Sequence, residues 1–156
     1  MRLYLVQHGE AFSKEIDPER PLTRKGLAEI DRLAGFLERA GVRAERVISS
    51  RKLRAVQTAE CLSSIIGPAT EPETSTDINP NDSPQTFAQQ IRRWTTDTFV
   101  VGHLPFMAKL VSYLTVSDEA RLVMAFQPGT VVCLERMDKD LWQIDWMIRP
   151  ECLGGS

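Results

Sequence analysis

Only two histidines occur among the 156 residues, and both stand in the same local setting. One ends the apolar run Leu5-Val6-Gln7-His8-Gly9, and the other ends Val100-Val101-Gly102-His103-Leu104-Pro105. One imidazole after a strand is usually a hydrogen-bonded structural group. Two in one setting point to shared work, because imidazole serves as nucleophile, acid–base group or donor near neutral pH. A third apolar run, Arg46-Val47-Ile48, leads into Ser49-Ser50-Arg51-Lys52-Leu53-Arg54. The spacing predicts Arg51 in the first turn of the next helix, with Arg54 three residues on along the same face. Cations there oppose the helix dipole. They make more sense if an anion binds, since helix N-termini and guanidinium forks both suit phosphate. Lys52 reads as a surface residue. On its own Arg20, in Glu19-Arg20-Pro21-Leu22-Thr23, reads as a solvated loop residue.

Those side chains can meet only if the preceding strands open onto one sheet edge. In open α/β sheets the carboxyl ends of the strands carry the ligand site. Strands are expected at 2–6, 46–48 and 98–101, each stopped by glycine or by cap residues. Thr23 can cap a helix whose apolar positions are Leu27, Ile30, Leu33, Ala34 and Leu37, stopped by Gly41. Ser49 and Ser50 are cap candidates for a second helix, with Leu53, Val56, Ala59, Leu62 and Ile66 inward and Gly67-Pro68 as its stop. The stretch 69–82 reads as mostly loop. Ser83-Pro84 starts a third helix with Phe87, Ile91 and Trp94 inward. Pro105 opens a fourth, burying Phe106, Leu110, Val111 and Leu114. The segments 130–136 and 142–148 read as a hairpin around 137–141, with Trp142 and Trp146 on one face. This alternation predicts an α/β three-layer sandwich with a mostly parallel central sheet and a C-terminal antiparallel hairpin.

Composition narrows the function. The length suits a single domain over 1–156, and 42% hydrophobic with 26% charged residues is ordinary for a globular chain. A net charge of −2, from 19 Lys+Arg against 21 Asp+Glu, gives no global pull toward nucleic acid or anionic lipid. No apolar run approaches a membrane span, and the N-terminus lacks a secretory pattern. Cys61, Cys133 and Cys152 are odd in number and lack CxxC spacing, so they read as small buried apolar residues in a reducing compartment. A cytoplasmic protein is expected, with no nucleic-acid or membrane partner and a monomer favoured.

Four ordered motifs resemble the histidine phosphatase superfamily, and most closely its short SixA-like phosphohistidine phosphatases. They are Gln7-His8-Gly9 followed by Glu10-Ala11; Arg20-Pro21-Leu22-Thr23 with Gly26; Ser50 through Arg54-Ala55-Val56-Gln57-Thr58; and Gly102-His103-Leu104-Pro105. The resemblance implies nucleophilic attack by His8 on phosphorus and a phosphohistidine intermediate that water later hydrolyses. It implies that Arg54 grips the phosphoryl oxygens and that His103 does so from the opposite wall. Arg20 would line the pocket mouth. No metal or other cofactor is implied. Gln7 stands where the family has arginine, so an amide without charge would meet the phosphate there. Glu10, Asp77 and Asp82 are the available proton donors, though each reads better as a turn-forming or solvated carboxylate. The implied substrate is a phosphohistidine-bearing protein, such as a phosphotransfer domain or phosphocarrier. Two other outcomes are a phosphate- or phosphoprotein-binding module weakened by Gln7 and a phosphomonoesterase for a small phosphorylated substrate.

Overall fold

Unbroken apolar runs such as Leu3–Val6 and Phe99–Val101 need cover on both faces, and the fold supplies it. The computed structural model describes residues 1–65, 71–138 and 140–155. Strands β1 (Arg2–Gln7), β2 (Arg46–Ser50), β3 (Glu73–Ser75), β4 (Thr98–Gly102), β5 (Val131–Asp138) and β6 (Leu141–Ile148) form a six-stranded sheet in the order β3-β2-β4-β1-β5-β6. The pairs β3–β2, β2–β4 and β4–β1 are parallel, and β5 and β6 add an antiparallel hairpin beside β1. The chain is thus the α/β sandwich its pattern predicts.

Helices cover the two faces in pairs. Helices α1 (Arg24–Arg39) and α2 (Leu53–Ser63) bury Ile30, Leu33, Leu37, Ala59 and Leu62 with Tyr4, Val6, Phe99 and Val101. Helices α3 (Pro84–Ile91) and α4 (Phe106–Val116) bury Phe87, Ile91, Phe106 and Leu110 with Leu3, Leu5 and Val100. Each large aliphatic side chain so buried contributes roughly 1.5–3 kcal/mol. Among the described residues no helix is long and apolar enough to cross a membrane.

Cap residues fall where expected. Thr23 Oγ1 accepts from Gly26 N at 3.0 Å, and Ser83 Oγ accepts from Thr86 N, with Pro84 opening α3. Gly41, with φ +77, follows the end of α1.

Several expectations are corrected. Leu27 is 38% exposed, because the apolar face of α1 is centred on Ile30, Leu33 and Leu37. Helix α2 turns Ala55, Thr58, Ala59 and Leu62 inward and leaves Leu53 exposed. On that inward face the Thr58 hydroxyl accepts from Gly9 N in the loop after β1. Ser49 and Ser50 belong to β2, and Lys52 occupies the N-cap of α2 without a side-chain bond. Arg51 therefore precedes the helix instead of sitting in its first turn. Ile66, Gly67 and Pro68 lie outside the described residues, as do residues 69 and 70 of the expected loop and 139 of the hairpin turn. That expected loop also contains β3, a polar edge strand held by backbone pairing to β2. Trp94 is only partly buried, beyond the end of α3.

Trp142 and Trp146 lie on opposite faces of the sheet. Trp142 packs in the α3/α4 core, while Trp146 packs toward Tyr4 on the α1/α2 side. The register slips between Cys133 and Leu134, which pair with Trp146 and Ile144. The extra residue, Asp145, resets the alternation of side chains along β6. The three cysteines are free, and Cys152 is exposed instead of buried.

Candidate active site

The insertion of β4 between β1 and β2 brings the two histidines together. Gln7 is in register with Gly102, and His8 N donates to Gly102 O at 3.0 Å. His8 and His103 therefore leave neighbouring parallel strands at one level, with ring centroids 5.0 Å apart at 52°. They are 8% and 1% exposed. A Cβ at Gly102 would come within 2.7 Å of Met107 Sδ, so any larger residue there would require the Met107 side chain to shift.

Hydrogen bonds fix the tautomer of His8. Its Nδ1 lies 2.7 Å from Gly9 O, which can only accept, so Nδ1 carries the proton. Its Nε2 accepts from Arg54 Nε at 3.2 Å and keeps its lone pair. Arg54 takes this position because α2 starts at Leu53. Thr58 lies one turn further along. Its Oγ1 accepts from Gly9 N at 3.0 Å and donates to Arg54 O at 2.7 Å. Residues Arg54, His8, Gly9 and Thr58 thus close a ring of hydrogen bonds between α2 and the loop after β1.

Both imidazoles are held neutral. Burial pushes His8 down to about 4, with Arg54 and Arg20 adding to it against the bond to Gly9 O. Burial pushes His103 down to about 3, with His8, Arg54, Lys52 and Arg20 adding to it. Arg54 is lowered by burial and by Arg20, although a guanidinium keeps its charge across the physiological range.

Arg20 belongs to this cluster. It adopts φ +50, a left-handed conformation that costs a non-glycine residue on the order of 1 kcal/mol. Its Nε donates to Phe12 O at 2.9 Å, which holds the loop around itself. Gln7 is 7% exposed, and its Oε1 is buried without a hydrogen-bond partner among the described residues.

The three carboxylates are occupied elsewhere. Glu10 Oε2 accepts from Thr23 Oγ1 at 2.9 Å, tying the loop after β1 to the start of α1. Asp77 Oδ2 accepts from Gln90 Nε2 at 2.8 Å, and Asp82 Oδ2 accepts from Asn79 N at 2.7 Å. A cavity of about 710 Å³ lies beside α1, lined by Glu10, Arg24, Arg32 and Gln127 among others. It includes neither histidine, so its size does not mark the chemistry.

Two hydroxyls were not singled out by sequence reasoning. Thr58 lies four residues after Arg54, one helical turn away, which is the signal that could have found it. Ser50 Oγ lies 2.5 Å from His103 Nε2. A cap assignment for Ser50 concealed that contact.

The buried pair of neutral imidazoles, one capped by a guanidinium, can hold and attack a tetrahedral oxyanion. The comparisons with known proteins agree with that chemistry. The profile of the histidine phosphatase superfamily (branch 1) matches residues 3–79. An uncharacterised protein of Picosynechococcus is 34% identical over 113 residues, 67% of each chain. Phosphohistidine phosphatase SixA of Escherichia coli is 29% identical over 119 residues, covering 73% of this chain and 74% of that protein. A structure of the protein histidine phosphatase SixA complexed with tungstate superposes with a TM-score of 0.88 over 99% of this chain and 100% of the other, at 24% identity, which shows a shared fold. With its motifs in order and this fold around them, the chain belongs to the histidine phosphatase superfamily, and within it to the SixA-like branch.

Proposed function

We propose that this chain is a phosphohistidine phosphatase acting as one domain over residues 1–156, with a phosphohistidine-bearing protein as substrate. The observation that carries the reading is the His8 tautomer, with Nδ1–H tied to Gly9 O and the Nε2 lone pair facing Arg54. In the first step Nε2 forms a bond to phosphorus while the bond from phosphorus to the substrate nitrogen breaks. The departing imidazole leaves neutral when its distal nitrogen already carries a proton, so the step makes little demand for a protein acid. Phospho-His8 is then cleaved by water, which returns inorganic phosphate and the Nε2 lone pair.

The protein's task is positioning and charge stabilisation, as phosphoryl transfer generally requires. Arg54 grips the phosphoryl oxygens, His103 donates from the opposite wall, and Arg20 and Gln7 complete the lining. None of these steps draws on a metal or another cofactor. The test is phosphate release from a phosphohistidine protein and from an aryl phosphate. Release from the first that vanishes in His8→Ala supports the reading, and no release from either counts against it.

Gln7 favours a second reading, a binding module with weak turnover. A neutral donor contributes ~0.5–1.5 kcal/mol against ~1.5–3 for a charged one. Replacing the family's arginine thereby weakens grip on a phosphoryl dianion. A small phosphomonoester as substrate is tested by the aryl phosphate arm.

A further inference from the structure

Ser50 is fully buried at the end of β2, and its Oγ lies 2.5 Å from His103 Nε2. We propose that Ser50 is a positioning residue that sets the tautomer of His103, holding the proton on Nδ1 so that the neutral ring offers Nδ1–H to a phosphoryl oxygen. The inference deepens the phosphatase reading and rests on it for the identity of the acceptor.

Ser50 Oγ also accepts from Lys52 N, at 3.4 Å. Its own hydroxyl hydrogen has one acceptor within reach among the described residues, His103 Nε2. If Ser50 donates to Nε2, the proton of the neutral imidazole must sit on Nδ1. One buried group is then unmet, Nδ1–H, which has no partner among the described residues. In the other tautomer Nε2–H donates to Ser50 Oγ. The serine hydrogen then has no acceptor and Nδ1 is a bare acceptor without a donor, so two buried groups go unmet. Burying an unpaired polar group is expensive, and the first arrangement leaves fewer.

The single unmet group is also of the right kind. A buried N–H on a ring 5.0 Å from the His8 ring is a donor awaiting an acceptor, which a phosphoryl oxygen provides. His8 and His103 then hold the same tautomer for opposite purposes. A backbone carbonyl fixes His8 so that Nε2 attacks. A hydroxyl fixes His103 so that Nδ1 donates.

The experiment is long-range ¹H–¹⁵N NMR of the histidine rings in the full chain at neutral pH, with His103→Gln used for assignment. The expected result is a neutral His103 protonated at Nδ1. Ser50→Ala should shift the ring toward the Nε2–H form and weaken inorganic phosphate binding about tenfold, the loss of roughly one hydrogen bond. Ser50→Thr, which keeps the hydroxyl, should restore both. A wild-type His103 protonated at Nε2, or a tautomer unchanged in folded Ser50→Ala, overturns the proposal. The wild-type spectrum decides even if the alanine variant fails to fold. A Ser50-dependent Nδ1–H tautomer in a protein that releases no phosphate upholds the role of Ser50 and sinks the phosphatase reading alone.

Discussion

Arg54 Nε lies 3.2 Å from His8 Nε2, so a cation covers the lone pair that the proposed reaction requires. Burial, with that guanidinium adding to it, keeps the nitrogen unprotonated. On the proposed mechanism an entering phosphoryl group would compete for the same guanidinium that now caps His8 Nε2.

Arg54 should therefore resist replacement by another cation. Lysine keeps the charge but has neither the planar fork nor the reach to cap Nε2 and hold two oxygens. Steady-state kinetics of Arg54→Lys with an aryl phosphate should show kcat/KM lowered by about 100-fold or more, the usual result of removing a transition-state donor. A drop of less than threefold would mean the fork is not on the reacting phosphoryl group.

Gln7→Arg should raise turnover. The difference between a neutral and a charged donor corresponds to about a tenfold gain in rate. Phosphate release measured side by side in the two proteins checks it. Equal rates would show that the amide meets the need of this pocket.

Acid should affect activity and stability at different points. Because burial and the nearby arginines hold His8 at about 4, its lone pair stays available well below the ordinary histidine range. The acid limb of the kcat/KM profile is expected near pH 4 to 5, not near 6.5. For stability the sign follows from proton counting. Below about 6.5 the unfolded chain binds protons at His8 and His103 that the folded chain refuses. Folding free energy is thus lost as pH falls from 6.5 toward 4 and 3. Denaturant melts across that range should show the decline, and His8→Ala should flatten part of it.

Gly26→Ala should loosen the site from a distance. A Cβ there would lie 2.2 Å from Glu10 O, the backbone that links the loop after His8 to the start of α1. Overpacking of this kind typically costs ~1–3 kcal/mol. Each kcal/mol lowers Tm by roughly 2–4 °C in a domain of this size. Calorimetry should show that fall, with activity reduced alongside it because the His8 loop must move.

Local pattern determined much of this protein. The apolar runs before His8 and His103, the cap at Thr23 and the Ser83-Pro84 start each follow from short-range sterics and hydrogen bonding, which neighbouring residues specify. So does the α/β class, since strand and helix periods alternate along the chain. What only the tertiary structure decided is non-local. The placement of β4 between β1 and β2 sets the two imidazoles side by side, and no local signal encodes which strand a strand will pair with. The inward turn of Thr58 on α2 and the contact from Ser50 to His103 depend on partners 49 and 53 residues away. The split of Trp142 and Trp146 across the sheet depends on a one-residue register slip against β5. Residue types named the candidate chemistry because imidazole and guanidinium carry it wherever they stand; the order of the strands aimed it, because hydrogen-bond directions exist only once the chain has closed on itself.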